Sequence, residues 1–305
     1  MRTLSMAPGA LALAAALALA APQTASAACN AEIQSIEPVP TIVYDPFDND
    51  TETDDFKVTV RNKGNDDCIL TLAVAGTTPG SQRYYANGAS QLAYQAETPN
   101  GIPYPNNIAA PLGTTSLQGG NGREKDIKVQ LRVQAGLIAG AGNYADTLTF
   151  RLFDAAGPTP VQLGTDRTAP AAARIEARAQ LNIAGTSGSF GAFELDEIDF
   201  GALATGATRN AVVQVRATRP VAITVSSENQ GQLKHETLPD ATGVPYGLRL
   251  DTSLVDLTAG PYTVSRTPDL SLNGTNFPMS VTITDTAGRA AGAYKDRITI
   301  TVTPQ

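Results

Sequence analysis

The chain has 305 residues, two cysteines and no tryptophan, and its 29 acidic residues outnumber the 22 basic ones, which gives a formal net charge of −7. An acidic protein repels the phosphates of nucleic acids and of anionic membranes, so the charge argues against both as partners. The length exceeds that of one typical domain and suits two.

The first residues have the pattern of a secretory signal peptide. Arg2 is followed by an apolar run from about Met6 to Ala21 and by the small residues Ala25-Ser26-Ala27. This order predicts a signal over residues 1–27, so we expect an exported protein. A lipoprotein is disfavoured because Ser26 stands where a lipobox needs a large aliphatic residue.

Cys29 and Cys68 form an even pair in an exported chain, which predicts a structural disulfide. On the chain-entropy estimate, a loop of about 40 residues closed in this way stabilises the fold by roughly 4 kcal/mol. A metal or redox pair is the alternative, but a chain with a single histidine lacks the ligands for either. No metal and no cofactor are therefore expected.

Strand-period alternation of apolar and polar residues recurs along the chain. It is clearest over residues 56–60, 69–74, 127–133 and 148–153. Outside the signal, no window of comparable quality has the 3.6-residue period of a helix. The sequence therefore predicts an all-β protein.

The chain also contains an internal repeat. The segment 141–150, AGNYADTLTF, recurs 150 residues later as 291–300, AGAYKDRITI, and 58–61 is similar to 213–216. Two copies of one β-sandwich explain this best. A Gly- and Pro-rich stretch separates the copies. The predicted units are a first domain over 28–156, a linker over 157–173 and a second domain over 174–305.

A shared AG-x-Y-x-D motif opens the last strand of each copy. Glycine frees the turn before the strand, while the tyrosine ring can be buried with its hydroxyl bonded to nearby backbone. We therefore interpret the motif as structural.

These endings, with Asp199-Phe200-Gly201 early in the second copy, resemble the spore coat protein U domain, which builds subunits of archaic chaperone-usher pili. The resemblance covers Arg174 to Gln305, and the first copy mainly at its cysteines and last strand. It implies two tandem immunoglobulin-like, pilin-type β-sandwich domains. An incomplete sandwich of this kind takes an extended segment from a neighbouring pilin by donor-strand complementation. The implied partners are a periplasmic pilus chaperone, an outer-membrane usher and that neighbouring pilin.

The resemblance also implies a position in the pilus. A shaft subunit needs a donor segment ahead of its first domain, and only Ala28 separates the predicted cleavage site from Cys29. The expectation is a tip adhesin, exported through the periplasm to the cell surface. The alternative is a structural shaft or secreted coat subunit without a binding role. The donor-strand acceptor edge is expected on the last strand, at Tyr294, Ile298, Ile300 and Val302.

A donor-like segment lies inside the chain, over residues 174–183. Its alternation places five apolar residues on one face: Ile175, Ala177, Ala179, Leu181 and Ile183. One interpretation is that this segment completes the first domain within the chain. The other is that it forms the first strand of the second domain, and alternation cannot choose between them.

Three loops of the first domain carry apolar residues. If the domain ends with the strand at 144–153 and leaves toward the second domain, these loops share the opposite, outward pole. Apolar side chains on exposed loops predict a surface-binding patch, like the finger-like loops of tip adhesins of this class. Its members would be Tyr44, Phe47, Ile102, Tyr104, Ile108, Leu112, Leu137 and Ile138. The alternative is that they cap the core.

No arrangement of residues predicts catalysis. His235 lies in a polar stretch without a nucleophile motif nearby, so a surface position is expected for it. The acidic run 48–55 has Thr53 and Thr59 where an EF-hand needs glycine and glutamate, so a solvated loop is expected, with another kind of calcium loop as the alternative. The protein is therefore expected not to be an enzyme.

Overall fold

A computed structural model describes residues 29–238 and 240–305, so the predicted signal peptide lies outside the described residues. The described chain is all-β, as predicted, and is built from twenty strands. In these two ranges, no helix is long and apolar enough to cross a bilayer. The strands divide into two sandwiches, each around its own apolar core.

The first domain contains ten strands: β1 (Ala31–Ile36), β2 (Thr41–Tyr44), β3 (Glu52–Asn62), β4 (Cys68–Ala75), β5 (Arg83–Asn87), β6 (Ser90–Glu97), β7 (Leu112–Leu117), β8 (Glu124–Val133), β9 (Gly142–Asp154) and β10 (Val161–Ile175). One layer has the order β1-β3-β8-β6, and the other has the order β7-β4-β9-β10-β2. Strand β5 pairs with β6 and β9 and so joins the layers.

The core of the first domain follows from the predicted alternation. Phe56 on β3, Leu131 on β8 and Phe150 on β9 point inward and are fully buried, while their sequence neighbours face out. The predicted disulfide is present between Cys29 and Cys68, whose Cα atoms lie 5.2 Å apart. It ties the start of the domain to β4.

The second domain contains the other ten strands: β11 (Ala179–Ala184), β12 (Thr208–Ala217), β13 (Val221–Ser227), β14 (Gln232–His235), β15 (Val244–Leu250), β16 (Ser253–Val255), β17 (Tyr262–Arg266), β18 (Thr275–Ile283), β19 (Tyr294–Lys295) and β20 (Ile298–Pro304). One layer has the order β11-β12-β18-β15, extended by β16, β14 and β19, and the other has the order β17-β13-β20.

The two domains repeat the pairing of two central strands in matching register. Strand β3 pairs with β8 so that Phe56 lies opposite Val129, and β12 pairs with β18 so that Ala211 lies opposite Met279. Met279 follows Val129 by 150 residues, the same interval as in the repeated motif, and Ala211 follows Phe56 by 155. Positions in one domain can therefore be matched to positions in the other.

The interval 157–173, expected as a linker, belongs from Val161 onward to β10. This strand pairs antiparallel with β9 and, over its last four residues, parallel with β2. Its Gly and Pro content suggested a linker, but Pro170 lies before the segment that pairs with β2, where a missing N–H is tolerated. The first domain thus extends to Ile175.

The donor-like segment is divided between the two domains. Ile175 ends β10 and is buried in the first core, whereas Ala179, Leu181 and Ile183 lie on β11 and pair with β12 of the second domain. Ala177 is exposed and lies between the two strands. The chain crosses from one sandwich to the other after Ile175.

Candidate functional site

The two domains differ most at the edges of two corresponding strands, β9 in the first domain and β20 in the second. In the first domain β9 lies between β4 and β10. Its counterpart β20 pairs with β13, and no other described strand forms a ladder with β20. The second domain is therefore short of the strand that β10 supplies in the first.

An open groove of about 480 Å³ lies beside this unpaired edge. Three expected acceptor residues, Tyr294, Ile298 and Ile300, line it, while the fourth, Val302, lies further along β20 and is half-buried. The remaining apolar walls come from other strands and from the segment 195–203: Ile183, Leu195, Ile198, Phe200, Leu203, Leu233, Tyr246, Met279 and Val281.

Side-chain burial shows that the groove is a gap in the core. Leu148, Phe150 and Leu152 on β9 are between 0% and 1% exposed. At the matching positions on β20, Ile300 is 9% exposed, and both Ile298 and Val302 are only partly buried. Apolar area that β10 covers in the first domain is thus left open in the second, and covering it is the main source of favourable free energy for a partner.

The groove rim is polar and mostly acidic. Asp196, Glu197, Asp199 and Glu236 lie around it. One of them, Glu236, forms an ion pair with Lys295 at 3.0 Å. The acidic rim surrounds the apolar lining of the groove.

The AG-x-Y-x-D motif holds one end of the groove. The Tyr294 hydroxyl donates a hydrogen bond to the Ala290 carbonyl at 2.9 Å, and Tyr144 does the same to Gly140 at 2.6 Å. This is the backbone contact that the sequence predicted for the motif. It turns the chain sharply into the strand that follows.

The motif aspartate is a hydrogen-bond acceptor in both copies. Asp146 accepts from the Tyr94 hydroxyl at 2.6 Å, and Asp296 accepts from the Tyr246 hydroxyl at 2.5 Å. Burial, and then the adjacent aspartate, raise the pKa of Tyr246 well above its usual value, so this hydroxyl stays a donor at any physiological pH. The Tyr246 side chain is therefore held in place at the wall of the groove.

His235 lies beneath the motif glycine and is buried, contrary to the surface position that we expected. Its Nε2 lies 3.1 Å from the Ala291 carbonyl, and its Nδ1 accepts from the backbone N–H groups of Thr237 and Leu238, both at 3.2 Å. A Cβ atom on Gly292 would collide with the imidazole ring. The histidine thus positions the groove rim through backbone contacts.

The predicted surface patch is not assembled at an outward pole. The Tyr44 hydroxyl donates to the Leu137 carbonyl at 2.9 Å, and Phe47 packs under Arg216 of the second domain. Tyr44 and Phe47 are buried, and Leu137 packs against the first core. Ile138, in the same loop, is half-buried. The pole that carries these loops faces the second domain.

The reason is the extra strand β10. We assumed that the chain leaves the first domain at the end of β9, but β10 runs back alongside β9 and reverses the exit. The pole far from the second domain carries instead the polar loops 63–67, 118–123 and 155–160. Because of β10, the predicted apolar loops lie at the pole that faces the second domain, and polar loops lie at the opposite pole.

The loop 98–111 lies on the flank of the first domain. Tyr104 is buried within it, and burial raises its pKa to about 12, while Leu112 packs against the core. Ile102 is 52% exposed and Ile108 is half-buried. Of the eight residues expected in a surface patch, Ile102 is the one that is mostly exposed.

A buried arginine and a half-buried asparagine hold this flank loop in place. Arg83, 2% exposed, donates to the carbonyls of Tyr104 and Pro105, both at 2.9 Å. Asn106 accepts from the Gly76 N–H at 2.7 Å and donates to the Thr78 carbonyl at 2.9 Å. The loop is thus a fixed projection and not a mobile tether.

Comparison with known proteins yields similar solved structures, whereas no protein-family model and no curated protein matches this chain. A chain of the CsuC–CsuE chaperone–tip adhesion subunit complex from the archaic chaperone-usher Csu pili of Acinetobacter baumannii is 15% identical, with a TM-score of 0.44. The match covers 90% of this chain and 99% of that one.

Two further structures are similar over most of both chains. CfaE, the adhesive subunit of CFA/I fimbria of enterotoxigenic Escherichia coli, is 12% identical over 88% of this chain and 92% of its own, with a TM-score of 0.41. The CupB6 tip adhesin of Pseudomonas aeruginosa is 9% identical over 89% and 94%, with a TM-score of 0.39. At these values no residue's role is transferred from them.

Sequence reasoning missed the far wall of the groove, formed by Leu195, Ile198, Phe200 and Leu203. These apolar residues lie outside the strands, so no period marks them. Their place in the repeat was nevertheless a signal. The segment comes directly before β12, and β2 comes directly before β3, the counterpart of β12, in the first domain. Without a strand to pair with, this segment stays irregular.

Proposed function

We propose that this protein is a pilus subunit of the chaperone-usher type, positioned at the tip, whose second domain accepts a strand from the next subunit. The observation that supports this is the difference between β9, which has β10 as a neighbour, and β20, which has none among the described strands. A pre-folded sandwich with one strand missing is suited to β-strand addition.

The geometry of the first domain indicates how the incoming strand runs. Because β10 pairs antiparallel with β9, the strand added to β20 is expected to run antiparallel to it, between β20 and the segment 195–203. In the assembled pilus this strand comes from a neighbouring pilin. Before assembly, a periplasmic chaperone covers the same groove, and an outer-membrane usher exchanges it for the pilin strand.

A tip position fits the unequal domains. The first domain already has its strand, so the chain presents one open acceptor, on the second domain. A subunit whose first domain is complete and whose second domain accepts one strand stands at the end of a fibre. We place it at the cell surface after export through the periplasm.

The binding role that we propose for the first domain lies on its flank. Ile102 projects from the fixed loop 98–111 beside Pro103 and Pro105, which are also exposed. A rigid apolar projection can contact a hydrophobic surface without an ordering cost. The alternative, a structural subunit without a binding role, keeps the open groove but predicts no effect of this loop.

The strand-acceptor proposal is tested by supplying the missing strand within the chain. A copy of residues 156–175 is appended after Gln305, which stands in the place of Ala155, so the spacing between β9 and β10 is preserved. We expect the outward amides of β20 to become protected from hydrogen exchange and the chain to stop entering pili. Unchanged exchange of β20 would contradict an open acceptor edge.

The flank loop is tested separately in cells that assemble pili. Ile102→Asp is expected to reduce attachment to a hydrophobic surface several-fold while leaving the number of pili unchanged. The matched control is Ile69→Asp, because Ile69 is similarly exposed, at 45%, but lies on β4. Equal attachment of both variants and the parent would favour the purely structural subunit.

A further inference from the structure

The outer face of the layer β17-β13-β20 carries an uncharged array of hydroxyl groups. Side chains alternate along each strand, so the residues that do not enter the core point to this face. No charged side chain belongs to the array, although 17% of the residues in the chain are charged. Its members are threonines, serines and one alanine: Ala222, Thr224, Ser226, Thr263, Ser265, Thr299, Thr301 and Thr303.

The strand register arranges these residues in rows. Thr263, Thr224 and Thr301 lie opposite one another across the three strands, and the Oγ1 atoms of Thr224 and Thr263 are 2.9 Å apart. Along β20, a threonine recurs at every second residue from Thr299 to Thr303. Neighbouring strands lie about 4.8 Å apart and alternate residues about 6.7 Å apart, so the hydroxyls form a two-dimensional lattice.

The array is open to solvent and stiff. All three threonines of β20 are exposed, as are Thr263 and Ser265 on β17, while the members on the middle strand β13 are half-buried. A β-branched side chain has few χ1 rotamers, so the methyl and hydroxyl groups of each threonine keep fixed positions. Contact with a matching surface therefore costs little side-chain entropy.

Strand propensity accounts for single threonines but not for the whole array. Threonine is common on strands, yet the corresponding face of the first domain has a different composition. Arg151 and Phe153 on β9 occupy the positions that Thr301 and Thr303 occupy on β20, in the same register with the neighbouring strand. The fold does not require the hydroxyl array, which is particular to the second domain.

The chemistry of the array argues against most kinds of partner. It has no charge to attract an ion or a charged polymer, and no aromatic ring on which a base could stack. Its few small side chains cover far less than the roughly 800 Å² per partner that a stable protein–protein interface buries. What it matches is an ordered lattice of water, because an ice surface repeats its hydrogen-bonding sites in two dimensions at similar spacings.

We infer that this face of the second domain binds ice. The threonine hydroxyls hydrogen-bond to the first layer of lattice water, and the methyl groups between them occupy gaps in that layer. Ordered water bridges are nearly as favourable in enthalpy as direct hydrogen bonds. The inference does not depend on the open groove, since a strand added at the edge of β20 leaves the outer face of the sheet exposed.

The test measures how much protein a slowly growing ice front takes up. The purified mature chain is partly frozen, and its concentration in the melted ice is compared with that in the remaining liquid. We expect several-fold more uptake of the parent than of Thr301→Lys, because a hydrated lysine in the central row separates the array from the ice. Exclusion of the parent to the same extent as Thr301→Lys would overturn the inference.

The matched control is Thr149→Lys. Thr149 on β9 corresponds to Thr299 on β20 but lies on the mixed face of the first domain. This variant should enter the ice as the parent does, and an equal loss in Thr149→Lys would show that added charge alone prevents uptake, against the inference. Thr263→Lys repeats the change on β17 and decides the outcome if thermal unfolding shows that Thr301→Lys is not folded.

Sedimentation at the same protein concentration tests whether a second copy of the chain occupies the face instead. A monomeric parent that enters the ice supports the inference. A parent dimer that dissociates in Thr301→Lys would assign the face to contact between two copies and would overturn the assignment to ice.

Discussion

At the residue scale, the motif glycines are fixed by the groups beneath them. Gly142 lies against Asn87, and Gly292 lies against His235, so closely that a Cβ atom would collide with the side chain in each case. Their φ angles of 157° and 151° also favour glycine. The turn therefore requires glycine in both copies, although the side chain that contacts the glycine differs: it is Asn87 in the first domain and His235 in the second.

Replacing these glycines tests the contact directly. Gly292→Ala is expected to destabilise the second domain by about 2 kcal/mol, because His235 must move and lose backbone hydrogen bonds. Denaturant unfolding measures this loss. The control is Gly247→Ala, where a Cβ atom would meet Thr284 at an ordinary 3.7 Å, and no loss is expected. A stable Gly292→Ala variant would show that the imidazole moves freely.

At the element scale, β10 is held to β9 by more than its backbone ladder. The register shifts between Leu163 and Arg167, and at this bulge Arg151 forms two hydrogen bonds with Asp166, at 2.8 and 2.7 Å. Arg151 lowers the pKa of Asp166 below its usual value. The ion pair therefore lies at the bulge, directly before the residues at which β10 pairs again with β9.

The ion pair predicts a pH dependence of the first domain. A carboxyl whose pKa is lower when folded stabilises the fold above its unfolded pKa of about 3.9, and this contribution is lost as the pH falls through the folded value. Asp166→Asn should remove it, costing up to about 1 kcal/mol at pH 7 because both side chains are partly exposed. Unfolding curves at pH 7 and below pH 3 would measure it, and an equal difference at both would contradict the assignment.

At the scale of the whole molecule, the two domains are joined by polar contacts around one arginine. The Arg216 guanidinium lies 5.0 Å from the Phe47 ring of the first domain and 4.5 Å from the Phe190 ring of the second. Nearby, Arg178 forms an ion pair with Asp45 at 2.8 Å. These contacts predict that the two domains keep a fixed relative orientation.

Removing the arginine should loosen this joint. Arg216→Ala is expected to cost about 1–2 kcal/mol, since two cation–π contacts are lost. It should also widen the distribution of distances between spin labels placed in the two domains. Arg249→Ala, at an exposed arginine remote from the joint, is the control. An unchanged distribution in Arg216→Ala would mean that the remaining contacts, including the Arg178–Asp45 ion pair, are enough to fix the orientation.

The sequence by itself determined the strands, the two copies and the disulfide. Alternation marks which side chains of a strand are buried, and the repeated motif identifies the duplicated domain, because both depend on residues close together in the chain. The cysteine pair was predicted from count and compartment. Tyr294, Ile298 and Ile300, which were singled out from the sequence, line the groove.

Only the tertiary structure decided which strands are neighbours. Alternation does not say whether 161–175 pairs with β9, and that pairing alone reversed the exit of the first domain and turned Tyr44 and Phe47 toward the second. The same pairing, present at β9 and absent along the described edge of β20, creates the groove. Contacts between strands distant in sequence depend on the whole core, and no local pattern contains them.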